Sequence, residues 1–224
     1  MKYLIISTGS KGNATVINDC ILIDCGVSFK SLKEIIDKLK LVLLTHIHAD
    51  HFKRTTIKRL AASRPTLRFA CGSFLVPALV ECGVSKSKID VLDFGKKYNY
   101  SFFKVAPVKL YHDVDNFGYR IYFNDERAIY ATDTEHLNGI KAKGYDLYML
   151  EANYEDEEIK NRIAERKKAG EYIYEDRVLR THLSKQQADD FFFENMISGK
   201  SELVYLHQHK ECEKNDGNCQ SSGL

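Results

Sequence analysis

Four side chains able to bind a metal ion stand close together as His46, His48, Asp50 and His51, in the segment Thr45-His46-Ile47-His48-Ala49-Asp50-His51. Imidazole and carboxylate together form a donor set suited to zinc or manganese. Alternate residues of an extended chain project to the same side, so His46 and His48 can grip one ion. The turn that follows would swing Asp50 and His51 toward a second. Three further residues stand where apolar runs end: His112 closes VKLYH, Asp133 closes AIYATD, and His207 closes LVYLH, much as His46 follows LVLL. Strands ending at one edge of a sandwich would bring these four points together. His209, two residues beyond His207, is a competing candidate, and His136 is expected at the surface.

The elements that must position these groups can be read from apolar spacing. Lys2 to Ile6, Ala14 to Asn18 and Cys20 to Asp24 read as strands, with a tight turn at Asn18-Asp19. Ser28 to Leu39 has a helical period, and Ser28 is its N-cap candidate. Leu41 to Leu44 reads as a buried strand and Phe52 to Ala62 as a helix, followed by strand, helix and strand from Arg68 to Asp93. From Tyr98 to Thr132 the pattern is β, three or four strands with a hairpin turn at Asn124-Asp125-Glu126. Asp146 to Leu150 is a further strand, Glu155 to Ala169 and Lys185 to Met196 are helices, and Glu202 to Leu206 is the last strand. Strands gather in both halves with helices after each set, which predicts two packed sheets with helices outside. One domain over residues 1–210 and a polar tail over 211–224 are expected.

Composition narrows the function classes. With 33 basic and 31 acidic residues, the chain is not built to hold nucleic acid by bulk charge. A local basic rim remains open: Lys53, Arg54, Lys58 and Arg59 follow the His-rich segment, and such a run is either a phosphate track or a solvated helix face. The same holds for Arg162 to Lys168, whose acidic neighbours partly cancel it. No apolar run is long enough to span a membrane. MKYLIISTGS continues as a strand and lacks the apolar stretch and cleavage site of a secretion signal, so a cytoplasmic location is expected. The six cysteines form no C-x-x-C pair and are read as reduced thiols.

The ordered set H-x-H-x-D-H, His, Asp, His resembles the metallo-β-lactamase superfamily over almost the whole chain. Asp24, closing ILIDCG, resembles that superfamily's first-motif Asp, which braces the metal loop without binding metal. Ser7-Thr8-Gly9-Ser10-Lys11-Gly12-Asn13 looks like the SGSxGN start of the small exonuclease-like branch (the YycJ-like group), and Asp133 in ATDTE and Glu151 in LEANYE also fit it. The resemblance implies an αββα sandwich. It further implies two divalent metal ions, Zn²⁺ or Mn²⁺: His46, His48 and His112 on one, Asp50, His51 and His207 on the other, and Asp133 between them.

His182 lies in Thr181-His182-Leu183-Ser184-Lys185 and resembles the His-Ser/Thr segment of phosphodiesterase members, where the His protonates the leaving oxygen and a nearby acid, here Glu151, orients it. A ligand role in place of His207, or a helix-capping role, stays open. The implied reaction is hydrolysis of a phosphodiester by a metal-bridging hydroxide, with the metals about 3.5–4 Å apart and with Asp50, His182 and Glu151 as catalytic groups. DNA or RNA is the expected substrate. A cyclic nucleotide or other small phosphodiester, a thioester, or a non-catalytic metal-binding role are the alternatives. Only 48 residues lie between Asp133 and His182, which leaves no room for an inserted RNA-clamp domain. The chain departs from the branch after His207, where it reads Gln208-His209-Lys210-Glu211-Cys212, and before His182, where Arg180-Thr181 replaces a Gly. Oligomeric state stays open, a homodimer included.

Overall fold

Strand and helix order follows the chain in two successive halves. The structure, a computed structural model, describes residues 1–207. The first six strands, β1 (Tyr3–Ser7), β2 (Ala14–Ile17), β3 (Ile21–Ile23), β4 (Leu41–Leu43), β5 (Arg68–Cys71) and β6 (Ile89–Val91), pair in that order as one sheet. The next six form the other: β7 (Tyr98–Tyr100), β8 (Phe103–Tyr111), β9 (Asp115–Phe123), β10 (Glu126–Ala131), β11 (Leu147–Glu151) and β12 (Glu202–Leu206). Each sheet is mixed. The first runs antiparallel from β1 to β3 and parallel from β3 to β6, and the second antiparallel from β7 to β10 and parallel from β10 to β12.

Alternation of side chains builds the layers. In β4, Leu41 and Leu43 face the other sheet while Val42 faces helices. In β11, Leu147 and Met149 face inward, and Tyr148 and Leu150 face the outer helix. Both faces are covered, which is why these parallel strands read as unbroken apolar runs. Helices α1 (Arg54–Ser63) and α2 (Val76–Glu81) cover the first sheet through Ile57, Leu60 and Leu79. Helix α5 (Lys185–Asn195) covers the second through Ala188 and Phe191. The result is the αββα sandwich the resemblance implied.

Two elements differ from the expectation. Residues 28–39 form two short 3-10 turns, Phe29–Leu32 and Ile36–Lys38, in place of one helix. Ser28 does cap the first, accepting from the Ser31 N–H. The Arg64 guanidinium donates to the carbonyls of Ile36 and Leu39, a tertiary claim on acceptors that a continuing helix would use itself. A seven-residue helix, α4 (Glu175–Thr181), follows α3 (Asp156–Ala169) and had not been expected. The turn at Asn18-Asp19 has both residues at positive φ, 46° and 58°, and the Cys20 N–H donates to the Ile17 carbonyl at 3.1 Å, which closes a tight turn between β2 and β3.

Cys20, Cys25, Cys71 and Cys82 are buried free thiols, and burial pushes the Cys71 thiol up to about 12. Cys212, Cys219, His209 and the expected boundary at 210–211 lie outside the described residues. Among the described residues no helix is long and apolar enough to cross a membrane.

Candidate metal centre

Strand ends deliver the site. Asp24 follows β3, His46 comes shortly after β4, His112 follows β8, Asp133 lies two residues past β10, and His207 follows β12. Asp24, Asp133 and His207 all take positive φ, 61°, 53° and 51°. This backbone is uncommon outside glycine and tends to persist where surrounding structure fixes it. The Asp24 carboxylate accepts from the Thr45 N–H and hydroxyl, each at 2.9 Å, and from His51 Nδ1 at 2.7 Å. It thus ties the end of β3 to both ends of the His-rich loop. Complete burial raises its pKa, against the pull of His51.

The donor atoms fall into overlapping groups. His46, His48 and His112 offer donor atoms within 4.8 Å of one another, and so do Asp50, His51 and His207. Asp133 joins His46 and His51 in a third group and His182, His207 and Glu151 in a fourth. Its Oδ2 lies 3.0 Å from His51 Nε2, and its Oδ1 lies 3.1 Å from His207 Nδ1. All seven residues expected as ligands therefore meet in one place.

Their protonation chemistry calls for cations. His51 donates its Nδ1–H to Asp24, so in the neutral ring Nε2 presents a lone pair to the carboxylates of Asp133 at 3.0 Å and Asp50 at 3.5 Å. A lone pair facing carboxylates is repulsive unless a proton or metal ion lies between. Burial alone would depress the His51 pKa, but Asp133 and Asp24 outweigh it and hold the value well above the ordinary one. Conversely, burial drives His46 well below its usual value, and its Nε2 is buried with no hydrogen-bond partner among the described residues. That is a neutral imidazole presenting a bare donor. Asp133 is fully buried, yet His51 and His207 hold its pKa far below the carboxylate range. The His/Asp clusters fit a dinuclear divalent metal site.

Glu151 and His182 form a separate unit at the edge of this set. His182 Nδ1 lies 2.6 Å from Glu151 Oε1, and Glu151 Oε2 accepts from the N–H groups of Thr134 (3.0 Å) and Leu183 (3.1 Å). The carboxylate, closing β11, is thereby fixed in position. Burial works against a charged His182, but Glu151 prevails and raises its pKa. Ser184 caps α5 directly after this His, in a reciprocal capping box with Gln187.

Sequence reasoning missed two residues here. Asp113 lies 3.3 Å from His48 Nε2 and 3.1 Å from His112 Nε2, and is paired with Arg177 of α4. Burial opposes its charge, but Arg177 and His112 lower its pKa. Its only sequence signal was adjacency to His112. Asn13 Nδ2 lies 2.8 Å from His51 Nε2, and its Oδ1 accepts from the Gly9 N–H. It ends the SGSxGN-like segment, so the motif had marked it without giving its task. His136, expected at the surface, is half-buried against the Tyr111 ring with centroids 4.3 Å apart. Of the basic run on α1, Arg54 is paired with Glu81 at 2.7 Å, and the Arg59 guanidinium lies over the Phe29 ring.

The domain model described as the beta-lactamase superfamily domain matches residues 20–188. No curated protein sequence matches the chain. Among solved structures, the chain is similar to the metallo-beta-lactamase fold protein YhfI from Bacillus subtilis, with a TM-score of 0.71 and 18% identity, covering 92% of this chain and 85% of that one. It is also similar to human tRNase Z, short form (TM-score 0.66, 16% identity, 93% of each chain). A diphosphatase from the PhnP family gives a TM-score of 0.64 at 16% identity, over 92% of this chain and 85% of the other. At such identities the likeness concerns the fold.

Proposed function

Because the chain belongs to the beta-lactamase superfamily, we propose that it is a metal-dependent phosphodiesterase whose substrates are nucleic acids or nucleotides. The observation that carries this reading is the Glu151–His182 pair standing beside the His/Asp clusters. When bound, two divalent cations, Zn²⁺ or Mn²⁺ by the donor chemistry, supply neutralisation of the phosphate and an acidified water. His46, His48 and His112 would hold one, Asp50, His51 and His207 the other, with Asp133 shared.

The chain's own residues account for the proton handling. Burial works against a charged His182, but the Glu151 carboxylate raises its pKa and so favours the protonated ring. Glu151 accepts a hydrogen bond from Nδ1–H and fixes the ring, which leaves Nε2–H of the imidazolium to protonate the departing alkoxide. Asp50, whose side chain is a quarter exposed, orients the attacking water. A thiolate leaves without needing a proton, so a thioesterase would have little use for this pair. A non-catalytic metal-binding role would have none. Among the similar structures, one is named as a tRNase Z and another as a diphosphatase, which agrees with hydrolysis at phosphorus.

The protein loaded with Zn²⁺ or Mn²⁺ is expected to hydrolyse bis(p-nitrophenyl) phosphate, and Asp50→Ala to abolish turnover. An inactive metal-loaded wild type would end this reading. A panel of single-stranded DNA, RNA and cyclic nucleotides then separates the substrate classes.

A further inference from the structure

On the His182 side of the centre lies a cavity of about 200 Å³, walled by α3 and α4 and by the turn after β11. Tyr154 and Tyr174 supply aromatic surface, Ile159 and Val178 aliphatic surface, and His182 reaches it from the metal side. Tyr174 is 41% exposed, and the Arg166 guanidinium carbon lies 4.7 Å from its ring centroid. Glu175, only 1% exposed, also lines the space. Arg166 Nε binds its Oε1 at 2.8 Å, while Oε2 is buried without a hydrogen-bond partner among the described residues. A buried acceptor left unmatched is costly, so the site asks for a donor. Ser10, Asn153 and Arg162 also line the space, and aromatic and aliphatic walls with a buried carboxylate oxygen among these polar groups are complementary to a flat heterocycle that carries N–H or O–H groups. Ordinary small-molecule sites span roughly 300–1,000 Å³, so this smaller one suits a single nucleoside and no oligomer.

We propose that this cavity receives the leaving nucleoside of the phosphodiester. Its base packs against Tyr154 and Tyr174, and a base or sugar donor reaches Glu175 Oε2. The assignment rests on the phosphodiesterase reading above, because His182 lines the cavity and is there the donor to the leaving oxygen. In the step, water oxygen forms a bond to phosphorus as the bond from phosphorus to the nucleoside oxygen breaks. His182 delivers a proton to that oxygen, and the proton released by the water offsets it. The products are a nucleoside with a free hydroxyl and a phosphomonoester. Since the cavity holds one nucleoside, the bond cut is the one next to a chain end.

Two measurements test this. In the first, adenosine and thymidine are titrated into the EDTA-treated full chain by equilibrium dialysis, a readout independent of turnover. Tyr174→Ala, at an exposed position, and Val178→Trp, which fills the cavity, should each weaken binding by about 5- to 150-fold. In the second, the Mn²⁺-loaded protein is given linear and circular single-stranded DNA of equal length. The linear strand should shorten stepwise from an end while the circle persists. If both variants bind nucleosides as the wild type does, if the wild type binds none, or if the circle is cut as fast as the linear strand, the proposal is overturned. Hydrolysis of bis(p-nitrophenyl) phosphate without nucleoside binding removes the cavity's role and leaves the phosphodiesterase reading intact. Tyr174-dependent nucleoside binding without any phosphodiester cleavage removes the leaving-group role together with that reading.

Discussion

The most consequential single contact is the 2.6 Å hydrogen bond between His182 and Glu151. General acid catalysis matters only when the leaving group is a poor one. His182→Ala should therefore lower kcat on a dinucleotide by about 10²–10⁴-fold, and much less on bis(p-nitrophenyl) phosphate, whose nitrophenolate departs unaided. Glu151→Gln should show the same pattern to a smaller degree. Equal losses on the two substrates would refute the proton-donor role. Residues of this kind differ in how far they can be read from sequence. The H-x-H-x-D-H segment is legible because its donors are adjacent and their types are rare together. His112, Asp133 and His207 are legible only through their shared position at the ends of apolar runs. Asp113 is not, since adjacency to His112 alone does not distinguish an Asp that meets His48 across the fold from one that faces water.

Elements act by holding loops against one another, and Gly26 shows how tightly. Its amide donates to the Asn13 carbonyl at 2.9 Å, and an added Cβ would fall 1.7 Å from the Asp50 carbonyl oxygen. Gly26→Ala must push the metal loop away from the turn after β3. The variant should keep its far-ultraviolet circular dichroism but bind Zn²⁺ at least about tenfold more weakly, in line with the loss seen when supports of metal ligands are removed. Unchanged affinity in a competition titration would mean that the loop is not positioned there. The strands were legible because period-two alternation survives in apolar runs: Leu41 and Leu43 inward, Val42 outward. Residues 28–39 misled because Leu32, Ile36 and Leu39 are buried at helical spacing, while Arg64, far along the chain, claims the carbonyls. Helix α4 left little trace because its contacts are largely ionic: Glu175 binds Arg166, and Arg177 binds Asp113.

For the whole molecule, the centre couples stability to pH. His51 in the folded, metal-free protein titrates well above the ordinary 6.5 because Asp133 and Asp24 overcome its burial. A raised folded-state value contributes stability that is complete below about 6.5 and fades as the pH climbs through the folded value. His182 and His207 are raised as well and act in the same direction. Bound cations need bare donors, so metal-derived stability changes with the opposite sign and weakens as protons compete. The increase in Tm on adding Zn²⁺ to EDTA-treated protein should therefore grow from pH 6 to pH 8 in scanning calorimetry. An increment that stays level or shrinks with rising pH would contradict this arrangement.

The two sheets are contiguous in the chain, and each carries part of the proposed centre: Asp24 and the His46–His51 loop on the first, His112, Asp133, Glu151 and His207 on the second. On a ribosome, the loop emerges early with four donors already in sequence order but with nothing opposite them. The last donor waits for β12, whose following residue His207 also anchors to the N-terminal segment through Thr8 Oγ1 at 2.7 Å. The donor set of the proposed centre thus stays incomplete until His207 is made, and a nascent chain that stops short of β12 lacks part of one proposed binding position.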